Sequence, residues 1–233
     1  MALVVTTSDK PGDAQVARAR ALSARLDVPY VRRRGPLQGF CYVVGRNRDE
    51  LRDGPTSLTV HEGMLQARLQ SASNHPLIRA IGPASHVIDG TLGLAGDALH
   101  IASALSCRVT GIEGSPVIHA LLEEGLPRLG QHLEAANRIT LRLGDATETL
   151  ATLTAADVVF FAPMYERPRA AAPGFELLRR VAIHDPLSPA LLREAHRVAP
   201  RVIVKIDRGE PALPGTSTRI RGRAVDYLVL HRP

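Results

Sequence analysis

The fold is decided by the stretch Val87-Ile88-Asp89-Gly90-Thr91-Leu92-Gly93-Leu94-Ala95-Gly96-Asp97. A short apolar run ends there in an acid, three glycines follow within seven residues, and a helix-compatible run from 98 to 105 comes next. A strand that feeds a glycine-rich turn and then a helix is typical of the nucleotide-binding corner of a doubly wound α/β sheet. Glycine permits the tight turn and leaves no Cβ between the backbone and a bound ligand.

Two further apolar runs end in acids, at Glu113 and Asp145. Glu113 follows the glycines by about 20 residues, which is the spacing at which a strand-end carboxylate meets a ribose diol. Parallel strands end at one edge of a sheet, so we expect Asp89, Glu113 and Asp145 to lie side by side. Three acids at successive strand ends are a more specific signal than the glycine-rich turn alone.

This arrangement resembles the class I S-adenosylmethionine (SAM)-dependent methyltransferases, which have a glycine-rich turn, an acid for the ribose and an acid near the adenine. NAD-binding folds share the turn, but their glycines usually run G-x-G-x-x-G, and residues 93–97 do not fit that pattern. The resemblance implies an α/β fold with a Rossmann-like, doubly wound, seven-stranded sheet, and S-adenosyl-L-methionine as the cofactor.

The resemblance extends to the ribosomal RNA small subunit methyltransferase J family and its uncharacterised relatives. It covers roughly residues 58 to 233, and its motifs lie at 89–98, 113–118, 123–126, 186–192 and 202–205. Membership of that family implies N-methylation of a guanine exocyclic amine in 16S ribosomal RNA.

The resemblance also implies roles for individual residues, while no metal site is expected. The methionine end of the cofactor is assigned to Gly93, Gly96 and Asp97, the ribose to Glu113, and the adenine to Asp145 and Ala146. Further cofactor contacts are expected from Asp89, Thr91, Gly114 and Ala162, and the acceptor is expected beside Pro163 and Tyr165. The amino terminus of the helix after the turn suits the methionine carboxylate, because it carries partial positive charge and free N–H groups.

The sequence departs from the family pattern at two positions. The second glycine of the turn is Ala95, for which Gly96 is expected to compensate. The family motif Asp-Pro-Met-aromatic reads Ala162-Pro163-Met164-Tyr165 here, so a carboxylate that could accept hydrogen bonds from an attacking amine is missing. Two alternatives therefore stand beside an RNA methyltransferase: a small-molecule or protein methyltransferase, and a degenerate module that binds the cofactor without catalysis.

The charge balance favours a polyanionic partner. The net charge is +6, the sequence pI is about 10.0, and all but two of the 29 basic residues are arginine, which pairs with phosphate in a bidentate fork. A GC-rich genome would also explain arginine usage. The three arginines at 32–34 are either a phosphate contact or part of a solvated loop. Aromatic residues make up only 3% of the chain, which argues against extensive base-stacking surfaces.

The chain is expected to divide into three parts. Residues 1–60 form a small α/β or β-rich subdomain with strands at 3–7, 28–31, 39–45 and 56–60, residues 61–82 form a helical linker, and residues 83–233 form the SAM-binding domain. Gly125 is expected to end a helix that begins after Ser115, with a second helical segment at 126–136. Asn74 or Ser73 is expected to cap a helix near Pro76, and the last strands, 201–206 and 224–230, are expected to pair as an antiparallel hairpin.

A cytoplasmic location is expected, with no membrane partner. No apolar stretch approaches the ~20 residues that span a bilayer. The amino terminus lacks the charged start and cleavage site of a signal peptide. Cys41 and Cys107 lie far apart and lack the spacing of metal ligands.

Overall fold

Two β-sheets and their helices make up the structure, a computed structural model that describes residues 2–63, 65–70, 74–164, 174–184 and 187–232. The smaller sheet has four strands and comes from the amino-terminal quarter of the chain, and the larger has seven strands. None of the helices in the described ranges combines the length and apolar character needed to cross a bilayer.

The small sheet has the order β1-β2-β3-β4. Its elements are β1 (Val4–Thr7), helix α1 (Asp13–Leu26), β2 (Phe40–Val44), β3 (Glu50–Asp53) and β4 (Thr56–Leu58). Strands β1 and β2 are parallel because α1 crosses between them, whereas β2, β3 and β4 form an antiparallel meander. The strand expected at 28–31 is wrong, since only an isolated bridge joins Tyr30 to Val5.

The large sheet has the order β10-β11-β9-β8-β5-β6-β7. Its strands are β5 (His86–Asp89), β6 (Arg108–Glu113), β7 (Ile139–Leu143), β8 (Val158–Phe161), β9 (Arg201–Asp207), β10 (Thr216–Arg221) and β11 (Val225–His231). Strands β5 to β9 are parallel, and β11 lies antiparallel between β9 and β10. The predicted doubly wound, seven-stranded sheet is confirmed, including its closing antiparallel strands.

Strand β5 marks the point where the strand order reverses. From β5 the chain proceeds to β6 and β7 on one side, and it then returns to β8 and β9 on the other side. At this point the connections that follow neighbouring strands run in opposite directions, and a crevice opens between them. In doubly wound sheets, ligands bind in that crevice. The glycine-rich turn follows β5 directly, at Gly90.

Helices cover both faces of the large sheet. They are α2 (Leu65–Leu69), α3 (Pro76–Ile81), α4 (Gly96–Leu105), α5 (Pro116–Gly130), a 3-10 helix (Glu134–Arg138), α6 (Ala146–Thr152), α7 (Phe175–Arg179) and α8 (Pro189–Val198). Side chains of Ser115, Asp145 and Ser188 accept N–H bonds at the starts of α5, α6 and α8.

The cap of α3 differs from the expectation. His75 caps this helix, because its Nδ1 accepts the N–H of Leu77 at 3.2 Å, with Pro76 in the first turn. Asn74 precedes the cap, and Ser73 lies outside the described residues. Histidine is not a usual N-cap residue, so the sequence carried no signal for this arrangement.

Gly125 does not end α5, which continues to Gly130. A Cβ at Gly125 would lie 2.3 Å from the Cβ of Val60, so a side chain there would collide with the segment that leaves β4. The glycine is therefore explained by close packing rather than by helix termination.

The small sheet packs against α5 and shares a hydrophobic core with one face of the large sheet. This core includes Val5, Phe40 and Leu51 of the small sheet together with Leu121 of α5. The backbone N–H of Asp49 donates to Glu124 Oε2 at 3.2 Å, one of the polar contacts across this junction. The boundaries 1–60, 61–82 and 83–233 stay a prediction.

Candidate functional site

A crevice of about 640 Å³ opens at the carboxyl edge of the large sheet, over the glycine-rich turn. It lies where the strand order reverses, between the ends of β5, β6, β7 and β8. The structure brings ten of the predicted site residues to its walls, namely Thr91, Gly93, Gly96, Asp97, Glu113, Gly114, Asp145, Ala146, Ala162 and Pro163. Tyr165, expected beside the acceptor, lies outside the described residues.

The turn after β5 uses two left-handed residues. Gly93 has φ +54°, and Ala95 has φ +62° at the amino terminus of α4. Gly96 does not adopt a positive φ, so Ala95 takes the left-handed conformation itself, and the expectation that Gly96 compensates for Ala95 stays a prediction. A Cβ at Gly93 or Gly96 would meet nothing within 4 Å, so both glycines keep the crevice open for a ligand.

Glu113 stands at the end of β6 with both carboxylate oxygens engaged by the backbone. Oε1 accepts the N–H of Ser115 at 2.8 Å, and Oε2 accepts the N–H of Gly93 at 2.9 Å. Burial raises the pKa of Glu113 to about 7, although these two hydrogen bonds lower it. Each oxygen retains a lone pair, so the ionised carboxylate can still accept hydroxyl groups of a ribose.

Asp89 lies beneath the turn rather than on the crevice wall. Its side chain is buried, and Oδ1 accepts the N–H of Thr91 at 3.0 Å. Burial raises the pKa of Asp89 to about 7, and the negative charges of Asp97 and Glu113 add to this effect. The carboxylate therefore shapes the turn from below.

Asp145 lies on the opposite rim of the crevice and is exposed. Its Oδ1 accepts the N–H of Glu148 at 2.9 Å, so this acid caps α6. Ala146 follows in the first turn of α6 and also lines the crevice. A planar base bound here would contact the first turn of α6, where the small side chain of Ala146 leaves room for it.

Asp97 is held between two cations. Its Oδ1 accepts from Arg68 Nη1 at 2.8 Å, and its Oδ2 accepts from Lys205 Nζ at 2.6 Å. Burial would raise the pKa of Asp97, but Lys205 and Arg68 together hold it below its ordinary value. The methionine end of the cofactor, assigned in part to Asp97, would therefore meet a carboxylate that is already paired with two cations.

The end of β8 is tied to the turn. The N–H of Ala162 donates to Thr91 Oγ1 at 2.6 Å, so the side chain of Thr91 joins the glycine-rich turn to the end of β8. Strand register pairs Phe161 with Val204, which brings the next residues, Ala162 and Lys205, to the same edge of the crevice.

Several lining residues were not predicted from the sequence. Arg68 reaches the crevice from α2, and an apolar wall comes from α7, α8 and the segment between them. The wall includes Phe175, Leu178, Ile183, Leu187 and Leu191. Arg68 lies 29 residues before its partner Asp97, so no local motif marks it.

The residues fit S-adenosylmethionine. An acceptor pair at the end of β6, open space over two glycines, a helix amino terminus and an apolar wall match a ribose, a nucleoside and a charged amino-acid end. This strand order, with a crevice at β5 and acids after the next two strands, defines the class I methyltransferase arrangement.

A family model confirms this class. The model described as "Putative SAM-dependent methyltransferase" matches residues 42–227. The chain belongs to this family of SAM-dependent methyltransferases. The match starts within β2, so it includes part of the small sheet as well as the large one.

Several relatives carry the name ribosomal RNA small subunit methyltransferase J, and two of them align with nearly the whole chain. The protein from Halorhodospira halophila is 33% identical over 96% of this chain and 91% of its own length. The protein from Alkalilimnicola ehrlichii is 34% identical over 96% of this chain and 89% of its own length. Membership of the family that the sequence motifs resemble is thereby confirmed.

A crystal structure of a SAM-dependent methyltransferase from Neisseria gonorrhoeae has the same fold. The two chains superpose with a TM-score of 0.73 at 23% identity, covering 98% of this chain and 96% of the other. Both sheets are therefore part of the shared architecture.

Proposed function

We propose that this methyltransferase acts on RNA, and that its acceptor is the exocyclic amine of a guanine in small-subunit ribosomal RNA. The observation that carries the proposal is the sequence identity of 33–34% to two proteins named ribosomal RNA small subunit methyltransferase J, over about nine tenths of each chain. The net charge of +6 supports a polyanionic substrate. Such a substrate would be met in the cytoplasm.

The lining of the crevice supports the following cofactor-binding roles. Glu113 accepts the ribose hydroxyls, while Asp145 and Ala146 lie at the adenine. Gly93 and Gly96 leave room for the methionine end, which approaches the amino terminus of α4. Asp89, Thr91 and Gly114 shape the turn and the end of β6 around the nucleoside.

Orientation supplies most of the catalysis in this proposal. When bound, the cofactor supplies a methyl group already activated on a sulfonium, so a strong general base is not required. The enzyme holds the acceptor nitrogen in line with that methyl group, which converts an encounter of two molecules into a unimolecular step. The roles beside the acceptor are assigned to Ala162, Pro163 and Tyr165 in this proposal.

Ala162 changes how the acceptor is held. A carboxylate at this position could accept hydrogen bonds from the guanine amine, and only the backbone carbonyl of Ala162 can do so here. This departure is the specific observation behind the alternative of a small-molecule or protein acceptor. The named relatives do not favour that alternative, nor a module without catalysis.

The experiment is methyl transfer from radiolabelled SAM to unmodified small-subunit ribosomal RNA made by transcription. We expect label in RNA that ribonuclease releases, and N2-methylguanosine after digestion to nucleosides. A small-molecule fraction and a total protein fraction serve as competing acceptors. Label confined to either of those fractions would contradict the RNA assignment.

A further inference from the structure

Part of the apolar wall of the crevice stands between two cavities. This part, the α7 wall, consists of α7 and residues 180–184, and it places Phe175, Leu178 and Ile183 on the crevice. On its other side lies a second cavity of about 490 Å³, which Arg180, Val181 and Ile183 also line. The side chain of Ile183 is 51% exposed, so close packing alone does not fix this end of the wall.

The α7 wall ends beside the residue assigned to the ribose. A Cβ at Gly114 would lie 2.8 Å from Ile183 Cδ1, so Ile183 rests on the backbone directly after Glu113. Pockets hold small molecules by burying most of their surface. The position of the α7 wall therefore sets how closely the crevice can surround a cofactor bound at Glu113.

The start of the α7 wall is attached to the small sheet. Helix α7 packs on β3 and β4, and its Leu177 is buried in the same core as Leu58 of β4. A Cβ at Gly174, which precedes α7, would lie 3.0 Å from the carbonyl oxygen of Ser57. The small sheet therefore carries the first turn of the wall in close contact.

Arg180 attaches the next part of the wall to the same sheet. Its Nη1 donates to Asp53 Oδ2 at 2.6 Å at the end of β3, and its guanidinium carbon lies 3.8 Å from the ring centroid of Phe40 on β2. A planar guanidinium can stack on an aromatic face and pair with a carboxylate through its edge. An ion pair between side chains 34% and 40% exposed contributes little alone, so the stacking on Phe40 matters as well.

We propose that Arg180 is a positioning residue for cofactor binding. Its contacts with Asp53 and Phe40 fix the α7 wall to the small sheet, and the small sheet thereby sets how tightly the crevice holds the cofactor. Without these contacts the wall has room to shift toward the second cavity. This inference rests on the cofactor half of the proposed function, and it gives the small sheet a role in the reaction.

The test changes the contact from both sides in the full chain. Arg180→Gln removes the ion pair and the stacking, Asp53→Asn removes only the charge of the partner, and a double variant combines the two. Arg180→Lys keeps the charge but stacks less well. The matched control is Arg52→Gln, which removes an arginine that pairs with Glu50 within β3. Binding of S-adenosylhomocysteine is measured by calorimetric titration.

We expect Arg180→Gln to weaken S-adenosylhomocysteine binding by about 3- to 10-fold, as for the loss of a partly exposed ion pair and a cation–π contact. Asp53→Asn should lose less, and the double variant should lose no more than Arg180→Gln, because both changes act through one contact. Arg180→Lys should recover part of the affinity, and Arg52→Gln should bind as the natural chain does.

Two further measurements separate positioning from a general loss of stability. Amide hydrogen exchange over residues 174–184 should be faster in Arg180→Gln than in the natural chain or in Arg52→Gln, because the wall opens more often. In methyl transfer, the KM for SAM should rise in Arg180→Gln while kcat at saturating SAM stays unchanged, as expected when only cofactor binding is weakened.

Three results would overturn the proposal. Unchanged exchange over residues 174–184 in Arg180→Gln would show that Arg180 does not hold the wall. Faster exchange with unchanged affinity would show that the wall does not set cofactor binding. Equal losses of affinity in Arg52→Gln would assign the effect to the charge of the small sheet. If the natural chain did not bind S-adenosylhomocysteine, the cofactor assignment itself would fail, which distinguishes that failure from the other three.

Discussion

At the scale of the residue, the ionisation of Glu113 is expected to make cofactor affinity depend on pH. Its pKa of about 7 comes from burial, and only the ionised form accepts both ribose hydroxyls without donating a proton of its own. The ordinary pKa of glutamate lies below the pKa of Glu113 in the folded chain. At pH values between these two pKa values the folded chain holds the proton, and the protonated side chain is a poorer acceptor for the cofactor. Cofactor affinity should therefore rise as pH rises through about 7.

We expect the affinity for S-adenosylhomocysteine to be about tenfold lower near pH 6 than near pH 8, because the ionised fraction changes by that factor. Glu113→Gln should bind the ligand less tightly, by roughly 1–3 kcal/mol, and should lose most of this pH dependence. Calorimetric titration across the range measures both effects. An equally steep profile in Glu113→Gln would assign the dependence to another group, such as Asp89.

Ala162 is the residue that bears most directly on the acceptor. Ala162→Asp restores a carboxylate that can accept hydrogen bonds from the guanine amine, and strand register brings Lys205 to the same edge. We expect methylation of unmodified ribosomal RNA to rise by about tenfold, less than the roughly 10²- to 10⁴-fold of a general acid or base, because the carboxylate only orients the amine. Ala162→Asn is the control of matched size without the charge, and equal rates in both variants would argue against this role.

Ala95 carries backbone strain that glycine would relieve. A left-handed conformation costs an L-residue roughly 1–2 kcal/mol, and Ala95 adopts φ +62° while fully buried. We expect Ala95→Gly to raise the free energy of unfolding by roughly 1 kcal/mol, after the larger entropy loss of glycine is counted. Ala98→Gly, a few residues further along α4, should lower it, and thermal unfolding of both variants makes the comparison.

At the scale of the element, α5 depends on one glycine for its contact with the small sheet. Gly125→Ala should destabilise the chain even though alanine is the better helix former, because the new Cβ would lie 2.3 Å from Val60 Cβ. We expect a loss of about 1–3 kcal/mol in urea unfolding, the usual cost of overpacking. The double variant Val60→Gly/Gly125→Ala, which removes the clashing Cβ of Val60, should recover part of that loss, and strictly additive losses would contradict a direct clash.

The elements of the large sheet could be predicted because their signals are local. Apolar runs that end in acids, and the caps at Ser115 and Ser188, are read within a few residues. Strand β3 could not be predicted in this way, since Glu50-Leu51-Arg52-Asp53 holds one apolar residue and its strand conformation depends on pairing with β2 and β4. The reverse holds for 28–31, which has strand-forming residues but only one bridge.

Residues of the candidate site likewise fall into two groups, those marked by local sequence and those placed by long-range contacts. Glu113 and the glycines could be placed from spacing, because the turn and the strand end are fixed by the chain itself. Arg68 could not, because the contact of α2 with Asp97 forms only when the chain has folded. The sequence pattern also does not show which side chains are buried. Asp89 could therefore be expected near the site, but not that it is buried beneath the glycine-rich turn.

At the scale of the whole molecule, basic residues extend beyond the crevice. A cleft of about 520 Å³ runs along α8 beside β11, and its rim carries Arg193, Arg197, His231 and Arg232. Arg197 is paired with Glu194, whereas Arg193 is exposed. This cleft begins at Pro189, close to the residues of α8 that line the crevice, so an RNA strand that enters the crevice could continue along it.

RNA binding should therefore depend on salt and on this surface. Each phosphate contact contributes a slope of about −0.7 for a single strand in a plot of log affinity against log salt. Arg193→Glu should weaken RNA binding and make the slope shallower by about one such contact, as measured by filter binding over a salt series. Arg142→Glu on β7, at the other edge of the large sheet, is the control of equal charge change. Equal losses in the two variants would mean that net charge alone attracts the RNA, while a slope near zero in the natural chain would contradict an RNA substrate.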